Sequence, residues 1–107
     1  MAATDDPPAP SADDVKLLTL ARAVRSRTGA AEAVAARDDL GRTYVAANVE
    51  LPSLRLSAVQ VIAAVALSSG TDRLDTVLVL GGSGDLSDDD RRVLDDLSVT
   101  TVLFGDD

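Results

Sequence analysis

The sequence predicts a three-layer α/β domain. Stretches of helical periodicity alternate with short strand-like runs, in the order helix, two strands, helix, strand, helix, strand. That order stacks helices against a sheet rather than against each other. The length of 107 residues suits one domain, and 46% hydrophobic with 26% charged residues is the balance of a globular protein.

Each element has its own signal. Met1 to Pro10 (MAATDDPPAP) is rich in Pro, Ala and Asp, so a disordered tail is expected there, with one domain over 11–107. Ser11 offers an N-cap, with Asp14 three residues on. A helix follows to about Arg27, its apolar stripe formed by Val15, Leu18, Ala21 and Val24. Arg22, Arg25 and Arg27 complement the dipole at its end, and Thr28-Gly29 stops it.

Ala30 to Arg37 (AAEAVAAR) reads as helix on propensity. The Asp38-Asp39-Leu40-Gly41 turn and the strand-like composition of Arg42 to Val49 (RTYVAANV) suit a β-hairpin instead. Both readings stand. Pro52 fits the first turn of a helix. Leu54 to Leu67 is apolar around nearly its whole circumference, as a helix in the middle of a fold is. It is shorter than the roughly 20 residues of a membrane span, and Ser68-Ser69-Gly70 ends it. Asp75 to Leu80 (DTVLVL) reads as a buried strand, followed by the turn Gly81-Gly82-Ser83-Gly84. Ser87 with Asp90 opens a helix to about Leu97 that uses Val93, Leu94 and Leu97, and Val99 to Phe104 (VTTVLF) is the last strand.

Composition excludes several function classes. There is no cysteine and no histidine, which removes disulfides, thiolate or imidazole metal sites, and histidine bases. Lys16 is the sole lysine, and Tyr44 and Phe104 are the only aromatics. The bias toward Ala, Val, Asp and Arg is that of high-GC bacterial coding. A net charge of −8 opposes binding to nucleic acid or an anionic membrane. No signal peptide is visible, so a cytoplasmic location is expected.

Three segments together resemble the cytidine deaminase family. GRTYVAANVE (Gly41 to Glu50) looks like its second strand with an Asn-x-Glu motif at Asn48 and Glu50. LSAVQ…SSG (Leu56 to Gly70) is similar to its Cys-Ala-Glu-Arg helix, and SDDDRRVL (Ser87 to Leu94) to its Cys-x-x-Cys-Arg-Gln helix. The resemblance spans residues 13–105 and implies a three-layer α/β/α fold with a mixed sheet. It also implies a role for Asn48 and Glu50 in holding ribose hydroxyls. Aligned on Gly70, the first metal-ligand position falls on Ser57 and the proton-shuttling glutamate on Val59; the two cysteine positions fall on Ser87 and Asp90. The base-stacking aromatic falls on Ala30. Zinc chemistry of this kind needs soft ligands and a carboxylate shuttle, and this chain supplies neither, so no catalytic residue and no cofactor are expected.

The remaining motifs have plain explanations. Asn48 and Glu50 read as ordinary strand-end and helix-opening residues, since a sugar held without its base is held weakly. The glycine turn lacks a Walker lysine and runs into Asp88, Asp89 and Asp90, which repel phosphate. The acidic run from Asp85 to Asp90 has no EF-hand spacing and suits a helix N-terminus. Ser53, Ser57, Ser68, Ser69 and Ser87 lack an activating base.

What is expected is a deaminase-like interaction or scaffolding module, self-associating as a dimer or tetramer. A nucleoside or nucleotide sensor using Asn48 and Glu50 is the alternative. A divergent deaminase or hydrolase, metal-free or with a carboxylate-bound metal, comes last.

Overall fold

The computed structural model describes residues 11–106; the tail expected over Met1 to Pro10 lies outside them. The chain runs α1 (Ala12–Thr28), β1 (Glu32–Asp38), β2 (Thr43–Ala47), β3 (Val49–Leu51), β4 (Leu54–Leu56), α2 (Ala58–Ser68), β5 (Leu74–Gly81), α3 (Asp88–Asp96) and β6 (Thr101–Gly105).

Four strands form one sheet in the order β2-β1-β5-β6. β1 pairs antiparallel with β2 and with β5, whereas β5 and β6 are parallel, so the sheet is mixed. Alternation along the strands divides the core in two. Val34, Ala36, Val77 and Val79 point to the face that packs Val59, Ile62 and Ala66 of α2 and Leu94 of α3. Ala33, Ala35, Leu78 and Leu80 point to the other face, against Leu17, Ala21 and Val24 of α1. Central strands buried on both faces explain the continuous apolar runs of β1 and β5.

Of the two readings open for Ala30 to Arg37, the structure takes the hairpin, with strand from Glu32: tertiary pairing on both edges of β1 overrides alanine's helical propensity. Two details differ from the sequence reading. The α1 stripe is centred on Leu17, which is fully buried, while Val15 is half exposed. The second is larger. Pro52 does not open a helix; with Ser53 it forms the turn of a separate β3–β4 hairpin that pairs Leu51 with Leu54. The apolar run from Leu54 therefore contains a strand, and α2 begins only at Ala58.

Helix starts follow local chemistry. Ser11, Ser57 and Ser87 each accept the N–H of the residue three positions on, at 3.0, 3.1 and 3.1 Å. α1 ends on Gly29 in the left-handed region (φ 67°), whose N–H closes onto the Arg25 carbonyl.

Candidate functional site

β1 begins and ends on polar groups, and the two ends are built differently. At its far end Asp38 is almost wholly buried. Its Oδ1 accepts the Leu40 and Arg42 backbone N–H groups at 2.9 Å each. Its Oδ2 accepts Arg42 Nε at 2.8 Å and the Tyr44 hydroxyl at 3.0 Å. Thr71, between α2 and β5, joins through Tyr44 at 2.6 Å and Arg42 at 3.0 Å. Burial pushes the Asp38 carboxyl upward, but these donors outweigh it and bring it down from 3.8 to about 2. Asp38 in turn holds the Arg42 guanidinium more firmly in its charged form. This network knots the β1–β2 turn to the body of the domain.

The near end of β1 opens on a cavity of about 350 Å³, at the small end of the roughly 300–1,000 Å³ typical of ligand pockets. Glu32, Asn48, Glu50, Arg55, Ser57 and Gly82 contribute to its lining. Asn48 is placed by the ladder: its N–H donates to the Glu32 carbonyl at 3.2 Å, and its Oδ1 accepts the Glu32 N–H at 3.0 Å. A backbone N–H can only donate, which fixes the orientation of the amide. Glu32 then turns its carboxylate to the start of α2, where Oε1 accepts the Ala58 N–H at 3.2 Å, the position where helix geometry favours an anion. Gly82, with φ 70°, leaves room for that carboxylate.

Beside the cavity the starts of α2 and α3 meet. Ser57 and Gln60 form a capping box, and the Ser57 hydroxyl also donates to Asp90 Oδ1 at 2.7 Å. Asp90 is 7% exposed, and its N–H donates to the Ser87 hydroxyl. Ser57, Ser87 and Asp90 are thus brought together. Val59 is not with them: it is fully buried in the core between α2 and the sheet. Glu50 lies in strand β3 rather than at a helix opening.

The chain matches the cytidine deaminase-like family model over residues 10–107. It is a member of that family. The fold is shared with cytidine deaminases of known structure. That from Mycobacterium tuberculosis is 24% identical with a TM-score of 0.69, covering 85% of each chain. That from Mycobacterium leprae is 24% identical with a TM-score of 0.66, covering 78% of each. The Burkholderia pseudomallei enzyme is 21% identical with a TM-score of 0.68, covering 81% of this chain and 84% of its own. Compared by sequence with curated proteins, the chain finds no match.

The family implies a zinc ion, and the residues of this cytidine deaminase-like chain do not fit one. Tetrahedral zinc is held by thiolate sulfur, imidazole nitrogen or carboxylate oxygen. The trio offers a single carboxylate and two hydroxyls, and both hydroxyls are committed to helix caps. Among the described residues no group of three or more His, Cys, Asp or Glu is placed to hold a metal. The acidic run behind Ser83 has partners of its own, Asp85 with Arg91 at 2.7 Å and Asp89 with Arg92 at 2.8 Å. Among the described residues no helix is long and apolar enough to cross a membrane.

Sequence reasoning missed Glu32, Arg55 and Asp38. Glu32 is an acidic residue directly before the Ala/Val run from Ala33 to Ala36, and that mismatch was the available signal. Asp38 followed at i+4 by Arg and at i+6 by Tyr was the signal for the knot.

Proposed function

We propose that this chain is a cytidine deaminase-like domain without deaminase chemistry, serving as an interaction module that assembles with copies of itself. The β3–β4 hairpin carries the proposal. It stands apart from the main sheet as two three-residue strands, and a lone two-stranded hairpin is marginal in water. It nevertheless exposes Leu51 (52%) and Leu54 (47%) around its Pro52 turn. Glu50 and Arg55 face each other across it, opposite charges on one register pair, so the surface is self-complementary in charge. Two hairpins meeting about a twofold axis cover each other's leucines and match charge to charge.

Loss of chemistry is supported by the donor set at the helix starts and by the burial of Val59, an apolar side chain unable to carry a proton. Light scattering on the purified chain at tens of micromolar tests assembly. The expected result is a dimer or tetramer that L51E/L54E reduces to the 11.0 kDa monomer. A wild-type chain already monomeric under those conditions overturns the proposal.

A second reading has its own observation: the cavity beside Asn48 and Ser57 is open rather than filled by side chains. It suits an uncharged nucleoside better than a nucleotide, because Glu32 and Glu50 outnumber Arg55 along its walls. No aromatic residue lines it, so affinity is low. Thermal shift discriminates, since saturation at 100 times Kd adds about 2.7 kcal/mol. Flat melting curves across cytidine, uridine, adenosine and guanosine dispose of this reading.

A further inference from the structure

Ser57 and Asp90 are the only described side chains through which the structure records a hydrogen bond between the starts of α2 and α3. The contact is short, 2.7 Å from hydroxyl to carboxylate, the length of a charge-assisted bond. It is also sheltered, with Asp90 7% exposed and Ser57 half-buried. Each partner is anchored a second time. The Ser57 hydroxyl accepts the Gln60 N–H, and Gln60 returns its amide oxygen to the Ser57 N–H. Asp90 is held through its own N–H by the Ser87 hydroxyl. One side-chain bond therefore joins two helix caps, and no buried side-chain polar atom among the described residues is left without a partner. These are the three positions at which the resemblance puts metal ligands, and their donor set does not fit zinc.

We infer that the Ser57–Asp90 bond is a metal-free clasp that has taken over the task of tying α2 to α3. A bound metal crosslinks the elements that carry its ligands and adds its binding energy to folding. When such ligands are replaced, that crosslink is lost unless other groups bridge the elements. Here a hydroxyl and a carboxylate meet directly, and each is preorganised by a cap that the helix needs in any case. The clasp occupies the Ser57 hydroxyl and Oδ1 of Asp90. The structural role of the former centre is kept and its chemistry is gone. This inference does not depend on self-association, and either can fail alone.

A double-mutant cycle on the full chain tests it. S57A, D90A and S57A/D90A are compared with wild type by thermal unfolding. Cap and dipole losses are independent and add; a direct bond does not. The double variant is expected to lose less than the two single losses summed, by roughly 4–8 °C, the shift made by one hydrogen bond in a domain of this size. Additive losses overturn the clasp. Should D90A fail to fold, D90L removes the acceptor at nearly the same side-chain volume and completes the cycle, and S57T, which retains the hydroxyl, is expected to melt as wild type does. A spectroscopic arm tests the convergence of the trio. S57C/S87C/D90C is expected to take up one Co²⁺ per chain with thiolate-to-cobalt absorption, and wild type to take up none. A folded triple variant that binds no cobalt, or a wild type whose midpoint rises with added Zn²⁺, contradicts the inference.

Discussion

At one end of β1 Asp38 is sealed from water and accepts four hydrogen bonds at 3.0 Å or shorter. At the other, six residues away, Glu32 is half-buried, accepts one N–H at 3.2 Å and borders an open cavity. The two carboxylates sit on one strand of one sheet, yet they carry different burdens. A buried carboxylate is tolerable only when its lone pairs are filled, and once filled it locks the backbone around it. A half-exposed carboxylate costs little to leave loosely held, and so leaves the surface around it free for other uses. The rigid end makes the domain stable, and the loose end is where the candidate site lies.

The sharpest way to break this comparison is to remove Asp38. D38A removes the shared acceptor of two backbone N–H groups, Arg42 Nε and the Tyr44 hydroxyl, and a drop on the order of 10 °C in melting midpoint is expected by differential scanning calorimetry. A drop no larger than that of E32A refutes the comparison. Next comes V59E, which restores a carboxylate where the resemblance places the proton shuttle. Val59 is fully buried against Ile62 and the sheet, so an unpaired charge there costs roughly 3–5 kcal/mol and gains no turnover of cytidine. Urea unfolding gives the loss directly.

Acid titration sharpens the same contrast. The Asp38 carboxyl is near 2 when folded against 3.8 unfolded. The sign follows: protonation favours the unfolded chain, so this contribution is complete above about pH 4 and is lost as pH falls through 2. The stability of wild type is expected to fall between pH 4 and pH 2 more steeply than that of D38N, followed by circular dichroism in urea. The smallest effect belongs to the loose end. E32A removes one helix-start anion and one hydrogen bond, together about 0.5–1 kcal/mol, and is expected to leave the acid limb unchanged.

Much of this was legible in the sequence because the signals were local. Ser87 with Asp90 marked a helix start from spacing alone, and DTVLVL marked a strand buried on both faces. The resemblance put Ser57, Ser87 and Asp90 on one list, and the fold brings them within one hydrogen-bonded chain. What was illegible depended on contacts distant in sequence. AAEAVAAR has helical propensity, and only pairing with β2 and β5 makes it a strand. The apolar run from Leu54 looked like one helix because Leu54 and Leu56 share helical spacing with the residues after them; the hairpin is specified instead by Pro52-Ser53 acting as a turn and by Ser57 capping late. Glu32 had no partner in sight until Ala58, 26 positions on, was folded against it. Asp38 was read as a turn residue, which it is, but its bond to Tyr44 and reach to Thr71 cross the fold.

The central claim is that the deaminase fold persists here without its metal chemistry. The direct measurement is to purify the chain from zinc-supplemented growth, determine bound zinc by mass spectrometry, and follow cytidine at neutral pH for uridine. The expected outcome is substoichiometric zinc, displaced by dialysis, and no uridine above the uncatalysed background. One tightly held zinc per chain together with conversion of cytidine to uridine would contradict the account.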